Sequence, residues 1–336
     1  MNPNLASTLR SLDPAIAQTH GNLAILPLIS PDQNSIDYVT LAEAVQTTAF
    51  KIREVSESGS VPDLLVENDT PLNVLLLDGE EVAGAKQNRV FNASILVGAK
   101  SRLRVPVSCT EAGRWGYSRR DFRDSGNVMW REHRARKEAY VTASLRMSDS
   151  YRGDQSAVWN DIEEMQMKSG HGSRTRAMSD VYGASRGKVS EIVDGFDCVP
   201  GQVGMAVAID GRLVGFDYIS QPQAFRQLFR KLVFSCAIEA AHSQRRTASS
   251  LAIEDQYAGL LEVSMTAHES VHESVGLGQA HRFTADRLVG SSLMLENEPV
   301  HIAFFSTDAG NEDRPGRMSG FKARRGFRSN DDDIIF

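Results

Sequence analysis

Between residues 64 and 107, apolar side chains recur at every second position, and this pattern constrains the fold more than any other feature of the chain. The alternation is clearest from Phe91 to Val97 and from Leu103 to Val107. Successive side chains of a strand point to opposite faces, so this period of two indicates strands with one buried face. We expect an antiparallel meander that forms half of a β-sandwich or a curved sheet.

Helical spacing of apolar residues follows in four segments, which are 128–146, 155–168, 179–193 and 223–242. Further strands are expected in a hairpin over 203–219, around the turn Asp210-Gly211, and over 260–271 and 288–305. Strand clusters at both ends with helices between them favour an α+β fold. The sequence therefore predicts an antiparallel β-sheet or sandwich with several helices inserted in the middle of the chain.

The chain has 336 residues, which is enough for one large domain or two modest ones. We expect a single α+β domain over residues 20–307. Residues 1–19 are expected to form an N-terminal extension with a short helix, and the Gly-, Arg- and Asp-rich residues 308–336 a disordered tail.

Composition narrows the class of protein. The net charge is -6, which argues against a general nucleic-acid binder. No stretch approaches the roughly 20 apolar residues of a membrane helix, and the N-terminus lacks the pattern of a secretory signal. The three cysteines are widely spaced and do not suggest a disulfide framework. These features predict a cytoplasmic protein.

The densest polar segment, Asp78 to Arg89, connects two apolar runs. Glu80 and Glu81 could hold hydroxyl groups or a divalent metal, or act as a general base. The alternative is a solvated hairpin end, because Asp78-Gly79 is a good turn sequence.

Cations and amides complete this segment. Lys86 and Arg89 would face an anion, while Gln87 and Asn88 offer both donors and acceptors. Arg89 shares the strand parity of Phe91, so its side chain is expected to point inward, where a buried cation needs a partner.

A second polar segment follows the strand that ends near Val107. It holds Cys109, a candidate thiol or a buried core residue, together with Glu111, Arg114 and Trp115. Glu111 is a third candidate carboxylate, Arg114 could bind phosphate, and Trp115 could stack on a base or cover the core. Gln155 stands in the first turn of a predicted helix, where it could cap the helix or reach a ligand.

Two other readings stay open. Arginines crowd residues 114–136, which suggests either ion pairs along a helix or a surface for nucleic acid or a protein partner. His268-Glu-Ser-Val-His272 matches the zinc-hydrolase pattern, which requires a helix. Here the alternation of residues 263–272 predicts a strand, which places Glu269 opposite both histidines. Whether a metal binds anywhere is left unknown.

Two long segments carry a resemblance to a known family. The first segment covers residues 77–92 and ends at Asn92, and the second covers residues 105–115. Both resemble motifs of the domain family associated with ADP-ribosylglycohydrolases and rhodanese/phosphatase-like proteins. Weaker similarity covers 154–159 and 275–278. The resemblance implies a part in NAD or ADP-ribose metabolism, and it adds Asn92 to the residues expected to contact a ligand.

The sequence therefore predicts a protein that binds or processes a phosphorylated nucleotide or sugar of the ADP-ribose or NAD type. The expected partner is this small ligand, and no membrane is expected. Nucleic acid, and a second copy of the chain, remain open as partners.

Overall fold

The computed structural model describes residues 1–31, 35–56, 62–114, 116–117, 119–243 and 252–307. The helices are α1 (Pro3–Ser11), α2 (Leu41–Ala44), α3 (Arg131–Ser148), α4 (Gln155–Ser169), α5 (Met178–Val193), α6 (Pro222–His242) and α7 (Ile253–Thr266). The strands of the N-terminal half are β1 (Asp13–Pro14), β2 (Gln18–His20), β3 (Leu23–Ile29), β4 (Tyr38–Thr40), β5 (Phe50–Glu54), β6 (Asp63–Asn68), β7 (Asn73–Leu76), β8 (Glu80–Ala83), β9 (Arg89–Phe91), β10 (Ile95–Val97), β11 (Ser101–Cys109) and β12 (Arg123–Val128). The later strands are β13 (Gln202–Ile209), β14 (Arg212–Ile219), β15 (His268–Glu273), β16 (Gln279–Ala285), β17 (Leu288–Leu295) and β18 (Glu298–Ser306).

Three sheets organise these strands. The largest has nine strands in the order β1-β3-β13-β14-β18-β17-β16-β15, with β2 beside β3. A six-stranded sheet has the order β12-β8-β9-β11-β6-β5, and a three-stranded sheet has the order β10-β7-β4. Their strand pairs are antiparallel except for β4 and β7. The predicted α+β class with antiparallel sheets is thus confirmed, and the helices α3 to α5 lie in the middle of the chain as predicted.

The two smaller sheets face each other across one apolar core. Val66, Phe91 and Val105 of the six-stranded sheet meet Val74 and Ile95 of the three-stranded sheet, and all five are buried. Each fully buried side chain of this size contributes about 1.5–3 kcal/mol to folding. Residues 64–107 therefore supply strands to both packed sheets, whereas the period of two predicted one half of a sandwich or a curved sheet.

The nine-stranded sheet has two covered faces. Leu23 and Ile25 of β3 point toward α6, whose apolar stripe includes Leu228 and Leu232. Leu26 of β3 points to the opposite face and packs in the core to which α1 and α7 contribute. Helix α6 also contacts β12 of the six-stranded sheet. The helix therefore joins the large sheet to the sandwich, and it brings its polar side chains close to the predicted site.

Helix α3 departs from the usual division between a polar and an apolar face. Arg134, Lys137 and Glu138 are each at most 2% exposed, although side chains of these types are rarely buried without a partner. Their partners come from β14, β16 and the turn at Asp78. The predicted ion pairs of this helix are therefore present, but they lie inside the molecule.

One local prediction is wrong. Residues 260–266 belong to helix α7 rather than to a strand, and Tyr257 and Leu260 of that helix are buried against the nine-stranded sheet. The apolar residues of this segment fit either period over a short run, so tertiary packing decides between them.

The N-terminal helix α1 packs onto the body of the protein, because Leu5 and Leu9 are fully buried in the core beside the nine-stranded sheet. The predicted tail, 308–336, lies outside the described residues. No described helix is both long enough and apolar enough to span a membrane.

Candidate functional site

The two polar segments singled out in the sequence converge on neighbouring strands. Cys109 of β11 pairs with Arg89 of β9, and the Thr110 amide donates to the Asn88 carbonyl at 3.0 Å. Strand β8, which carries Glu80 and Glu81, lies on the other side of β9. The described parts of the two segments are therefore neighbours in space, although Cys109 follows Arg89 by 20 positions in the chain.

Glu80 is held in a buried ion pair. Its Oε1 lies 2.6 Å from Lys231 Nζ of α6, and the same ammonium lies 2.7 Å from Asp124 Oδ2. Burial raises the pKa of Glu80, and the Lys231 ammonium opposes this effect. With its other oxygen accepting from the Leu77 amide, Glu80 connects α6 to the six-stranded sheet.

Glu81 is buried among neutral donors instead. Thr110 Oγ1 donates to Oε1 at 2.7 Å and Asn127 Nδ2 donates to Oε2 at 3.0 Å. Burial raises the pKa of this carboxyl, and the hydrogen bonds from Asn127 and Thr110 counteract the rise. This environment, with no cation, is the one that favours a proton on a carboxyl group.

Glu111 and Arg114 form the outer part of the cluster. Arg114 donates to Glu111 through Nε at 2.9 Å and through Nη2 at 2.6 Å, and its Nη1 donates to the Ala85 carbonyl at 2.7 Å. Glu111 also accepts from the Asn88 amide at 3.3 Å, and Asn88 Oδ1 accepts from Arg114 at 3.2 Å. Arg114 thus clamps the loop at Ala85, whose φ of 37° is unusual for a residue with a Cβ atom.

Gln155 neither caps its helix nor points to solvent. Its Oε1 accepts from the Cys109 amide at 2.7 Å, and its Nε2 donates to the Cys109 carbonyl at 2.9 Å. The N-cap role belongs to Asp154, which accepts from the amides of Ser156 and Ala157. Gln155 therefore pairs with β11 as a further strand residue would, and it anchors α4 to the site.

Asn92 and Cys109 are also buried. Asn92 Nδ2 donates to the Tyr151 carbonyl at 3.0 Å, and Asn92 Oδ1 accepts from Ser108 Oγ at 2.8 Å. Burial raises the pKa of the Cys109 thiol, although Arg89 opposes the rise. The thiol is therefore kept protonated at neutral pH.

Arg89 differs from the other buried cations. Its side chain is 0% exposed, as the strand parity predicted. Nη1 donates to Gln87 Oε1 at 3.2 Å, yet Nε and Nη2 have no hydrogen-bond partner among the described residues. The nearest carboxylate, Glu54, lies 4.0 Å from Nη2, and its Oε2 is likewise without a hydrogen-bond partner.

Lys86 is buried near Arg89 and Glu54. Its amide donates to Glu54 Oε1 at 3.4 Å, and its ammonium stands 5.3 Å from the centre of the Tyr117 ring. Tyr117 is about half exposed. Trp115, the predicted stacking residue, lies outside the described residues, so its place in the site stays a prediction.

Sequence reasoning missed several partners of the site. Lys231 pairs with both Glu80 and Asp124, and Asn127 donates to Glu81. Helical periodicity gives no signal for the lysine, because position 231 lies outside the apolar stripe of α6 and only the tertiary structure buries it.

An open cleft of about 220 Å³ lies next to Ala112, in the polar segment that follows β11. Its other lining residues are Ser156, Trp159, Asn160, Glu163 and Arg176. Trp159 is 39% exposed there. None of the predicted ligand-binding side chains that the structure describes lines this cleft.

A group with metal-ligand spacing lies elsewhere. His133, Asp161 and Glu164 place one ligand atom each within 4.8 Å of one another. Arg136 already donates to Asp161 at 2.5 Å and to Glu164 at 3.0 Å. A guanidinium thus occupies the position of charge that a metal ion would take, and neither Glu80 nor Glu81 belongs to the group.

The arginine-rich stretch is largely committed to internal contacts. Arg131 pairs with Glu239, Arg134 with Asp217, and Arg136 with Asp161. The exposed arginines that remain are Arg119, Arg120 and Arg123. These three leave a much smaller basic surface than the sequence suggested.

The zinc-hydrolase reading requires a helix, and the structure has a strand there. His268 and His272 lie on β15, as predicted, and Glu269 accepts from His281 Nδ1 at 2.6 Å on the neighbouring strand. The described metal-spaced group includes neither His268 nor His272. The H-E-x-x-H match is therefore not formed as a hydrolase motif.

Comparison with known proteins agrees with the resemblance of the two polar segments. Searches of curated proteins and of solved structures gave no significant match. A family model, described as the ARG and Rhodanese-Phosphatase-superfamily-associated Protein domain, matches residues 11–305. Because this match spans most of the chain and contains the whole cluster, the protein belongs to the ARG and Rhodanese-Phosphatase-superfamily-associated Protein domain family.

Proposed function

We propose that the protein binds a phosphorylated nucleotide of the ADP-ribose type at the Arg89 cluster, defined as Glu54, Lys86, Gln87, Arg89 and Cys109. One observation carries the proposal: two nitrogens of the buried Arg89 guanidinium, Nε and Nη2, have no hydrogen-bond partner among the described residues. Leaving buried donors unpaired costs about 1–3 kcal/mol each, and more for a charged group. An anionic oxygen placed on Nε and Nη2 would remove that cost.

Glu54 refines the class of ligand. Its Oε2 is a buried acceptor without a hydrogen-bond partner, and it belongs to the same cluster as the free donors of Arg89. A phosphate alone would be repelled by this carboxylate, whereas a phosphorylated ribose carries both an anion and hydroxyl donors. The family's association with ADP-ribosylglycohydrolases is in keeping with such a ligand.

Lys86 provides the second cation. Its backbone amide donates to Glu54 Oε1, the oxygen that lies 4.0 Å from Arg89 Nη2, and its ammonium lies 5.3 Å from the centre of the Tyr117 ring. The charge of this ammonium would attract the phosphate. Of the three predicted catalytic carboxylates, Glu111 is the one we place next to the ligand, because Glu80 and Glu81 are fully buried against protein partners.

A thermal-shift and calorimetric titration tests this function. ADP-ribose, NAD, ribose 5-phosphate and adenosine are each added to the wild type, to Arg89→Lys and to Arg123→Ala. Arg89→Lys keeps the charge and removes Nε and Nη2, while Arg123 is an exposed arginine of β12. Binding to the folded state raises the melting temperature by mass action.

We expect ADP-ribose to stabilise the wild type and Arg123→Ala, and to have at least tenfold weaker affinity for Arg89→Lys. If Arg89→Lys does not fold, Glu54→Gln is a second test variant. It should weaken the binding of the ligands that contain ribose. The proposal fails if ADP-ribose and NAD leave the wild type unshifted at millimolar concentration, or if Arg89→Lys binds them as tightly as the wild type.

A further inference from the structure

A serine, a histidine and an aspartate meet away from the Arg89 cluster. Ser94, in the connection between β9 and β10, lies with Oγ 2.9 Å from His301 Nδ1 of β18. His301 Nε2 lies 3.5 Å from Asp217 Oδ1 of β14. His301 and Asp217 are buried, whereas Ser94 is partly exposed, so one end of the group reaches the surface.

The charges around the group decide where the hydrogens lie. Asp217 is ionised, because Arg134 holds it with two hydrogen bonds at 2.7 and 3.0 Å. A neutral imidazole next to this carboxylate carries its hydrogen on Nε2, the nitrogen that faces the negative charge. Nδ1 is then the free acceptor, and the Ser94 hydroxyl must donate to it.

The hydroxyl oxygen is also oriented from the other side. The Asp78 amide donates to Ser94 Oγ at 2.9 Å, so both the hydrogen and a lone pair of the hydroxyl have defined partners. At 3.5 Å the contact of His301 with Asp217 is electrostatic rather than a full hydrogen bond. It still selects the tautomer, which is the role of the acid in a nucleophile–base–acid triad.

The chain contains a second arrangement of the same residue types, and the comparison is informative. Ser270 lies 3.2 Å from His272 Nε2, and His272 Nδ1 lies 3.4 Å from Asp149. Asp149 is 86% exposed, so water competes for its carboxylate and nothing holds it in place. Only the group at Ser94 has a buried acid fixed by an arginine, and preorganisation of this kind is what activates a nucleophile.

We propose that Ser94, His301 and Asp217 form a nucleophilic site for acyl transfer from a carboxylic ester. Ser94 Oγ attacks the carbonyl carbon while its proton passes to His301 Nδ1. The bond to the alcohol then breaks, and the alcohol leaves with that proton. Water then attacks the acyl-serine while His301 takes a proton from it. The carboxylic acid is released, and His301 returns that proton to Ser94 Oγ. Asp217 is a positioning residue in this sequence, and the site is independent of nucleotide binding at Arg89.

A small fluorophosphonate tests the proposal on the full chain. The wild type, Ser94→Ala, His301→Gln and Ser270→Ala are incubated with the reagent, and peptide mass mapping locates the adduct. Hydrolysis of p-nitrophenyl acetate is followed in parallel. Melting temperatures are recorded for all four proteins, so that a loss of fold is told apart from a loss of reactivity.

We expect an adduct on Ser94 in the wild type and in Ser270→Ala, and none at that position in Ser94→Ala. His301→Gln keeps the nucleophile and removes the base, and its labelling rate should fall by about 100-fold or more. If His301→Gln does not fold, the adduct on Ser94 in the wild type still decides, because an unactivated serine does not react. Labelling of Ser270 in place of Ser94, no adduct at all, or a folded His301→Gln that reacts as fast as the wild type would overturn the proposal.

Discussion

Replacing Lys231 with methionine removes the cation that pairs with buried Glu80. The ammonium lies 2.6 Å from Glu80 Oε1, and the Glu80 side chain is 0% exposed. Methionine keeps most of the aliphatic length, so the main change is an unpaired carboxylate in the interior. Removing one partner of a buried ion pair costs about 3–5 kcal/mol. Asp124 shares the ammonium from a partly exposed position, where water can solvate its carboxylate once the lysine is removed. We therefore expect the lower end of this range, a loss of about 3 kcal/mol in the free energy of unfolding by urea.

Lys168→Met is the matched control. Lys168 also pairs with two carboxylates, Glu164 at 2.7 Å and Glu132 at 3.5 Å, but its side chain is 42% exposed. Exposed pairs contribute less than about 1 kcal/mol. The double variant Glu80→Gln/Lys231→Met leaves no buried charge, so it should recover at least 1 kcal/mol relative to Lys231→Met. The reasoning is refuted if Lys231→Met loses no more stability than Lys168→Met, or if Glu80→Gln destabilises the protein further in its presence.

The same variant has a predicted dependence on pH. Burial raises the pKa of Glu80, and Lys231 is the main group that opposes the rise. Without Lys231 the folded protein holds a proton on Glu80 at a pH where the unfolded chain has lost it. Stability then falls as pH rises through the unfolded pKa and up to the folded one. The deficit of Lys231→Met should therefore be larger at pH 8 than at pH 5 in urea denaturation.

Three further predictions concern single residues. Burial alone would raise the pKa of Asp217, but its buried partner Arg134 lowers it to about 2, against an ordinary value of 3.8. The shift corresponds to about 2 kcal/mol of stability, which is present above pH 4 and should be lost between pH 4 and pH 2 in denaturation curves. Gly79→Ala should cost more than about 1 kcal/mol, because φ is +75° and a Cβ would lie 2.9 Å from the buried side chain of Arg134. Gly183→Ala in α5 has open space around it and should be neutral or stabilising. Thermal melting compares the two variants, and equal effects would contradict the geometry. Alkylation of the folded protein at pH 8 should modify the partly exposed Cys198 and leave Cys109 unmodified. Burial raises the pKa of the Cys109 thiol and keeps it from solvent. Rapid modification of Cys109 without unfolding would contradict its placement.

Local pattern was enough for much of the fold. The period of two over residues 64–107 and the stripe of α6 specify faces without reference to any distant residue, and both elements lie where they were expected. The turn at Asp210-Gly211 is likewise local, and both residues have positive φ. The segment 260–266 failed as a strand prediction, because seven residues of mixed character fit a helix as well, and contact with the nine-stranded sheet favours the helix.

For the site, the sequence by itself determined that one charged residue would enter apolar surroundings. Arg89 follows the parity of a buried strand, so it must find a partner. The burial of Lys231, and the partners that both residues find, were decided by the tertiary structure alone. Lys231 meets Glu80 across 151 positions, and Gln155 meets Cys109 across 46. Ion pairs and hydrogen bonds depend on distances of a few ångströms in space, and no period along the chain encodes such a distance.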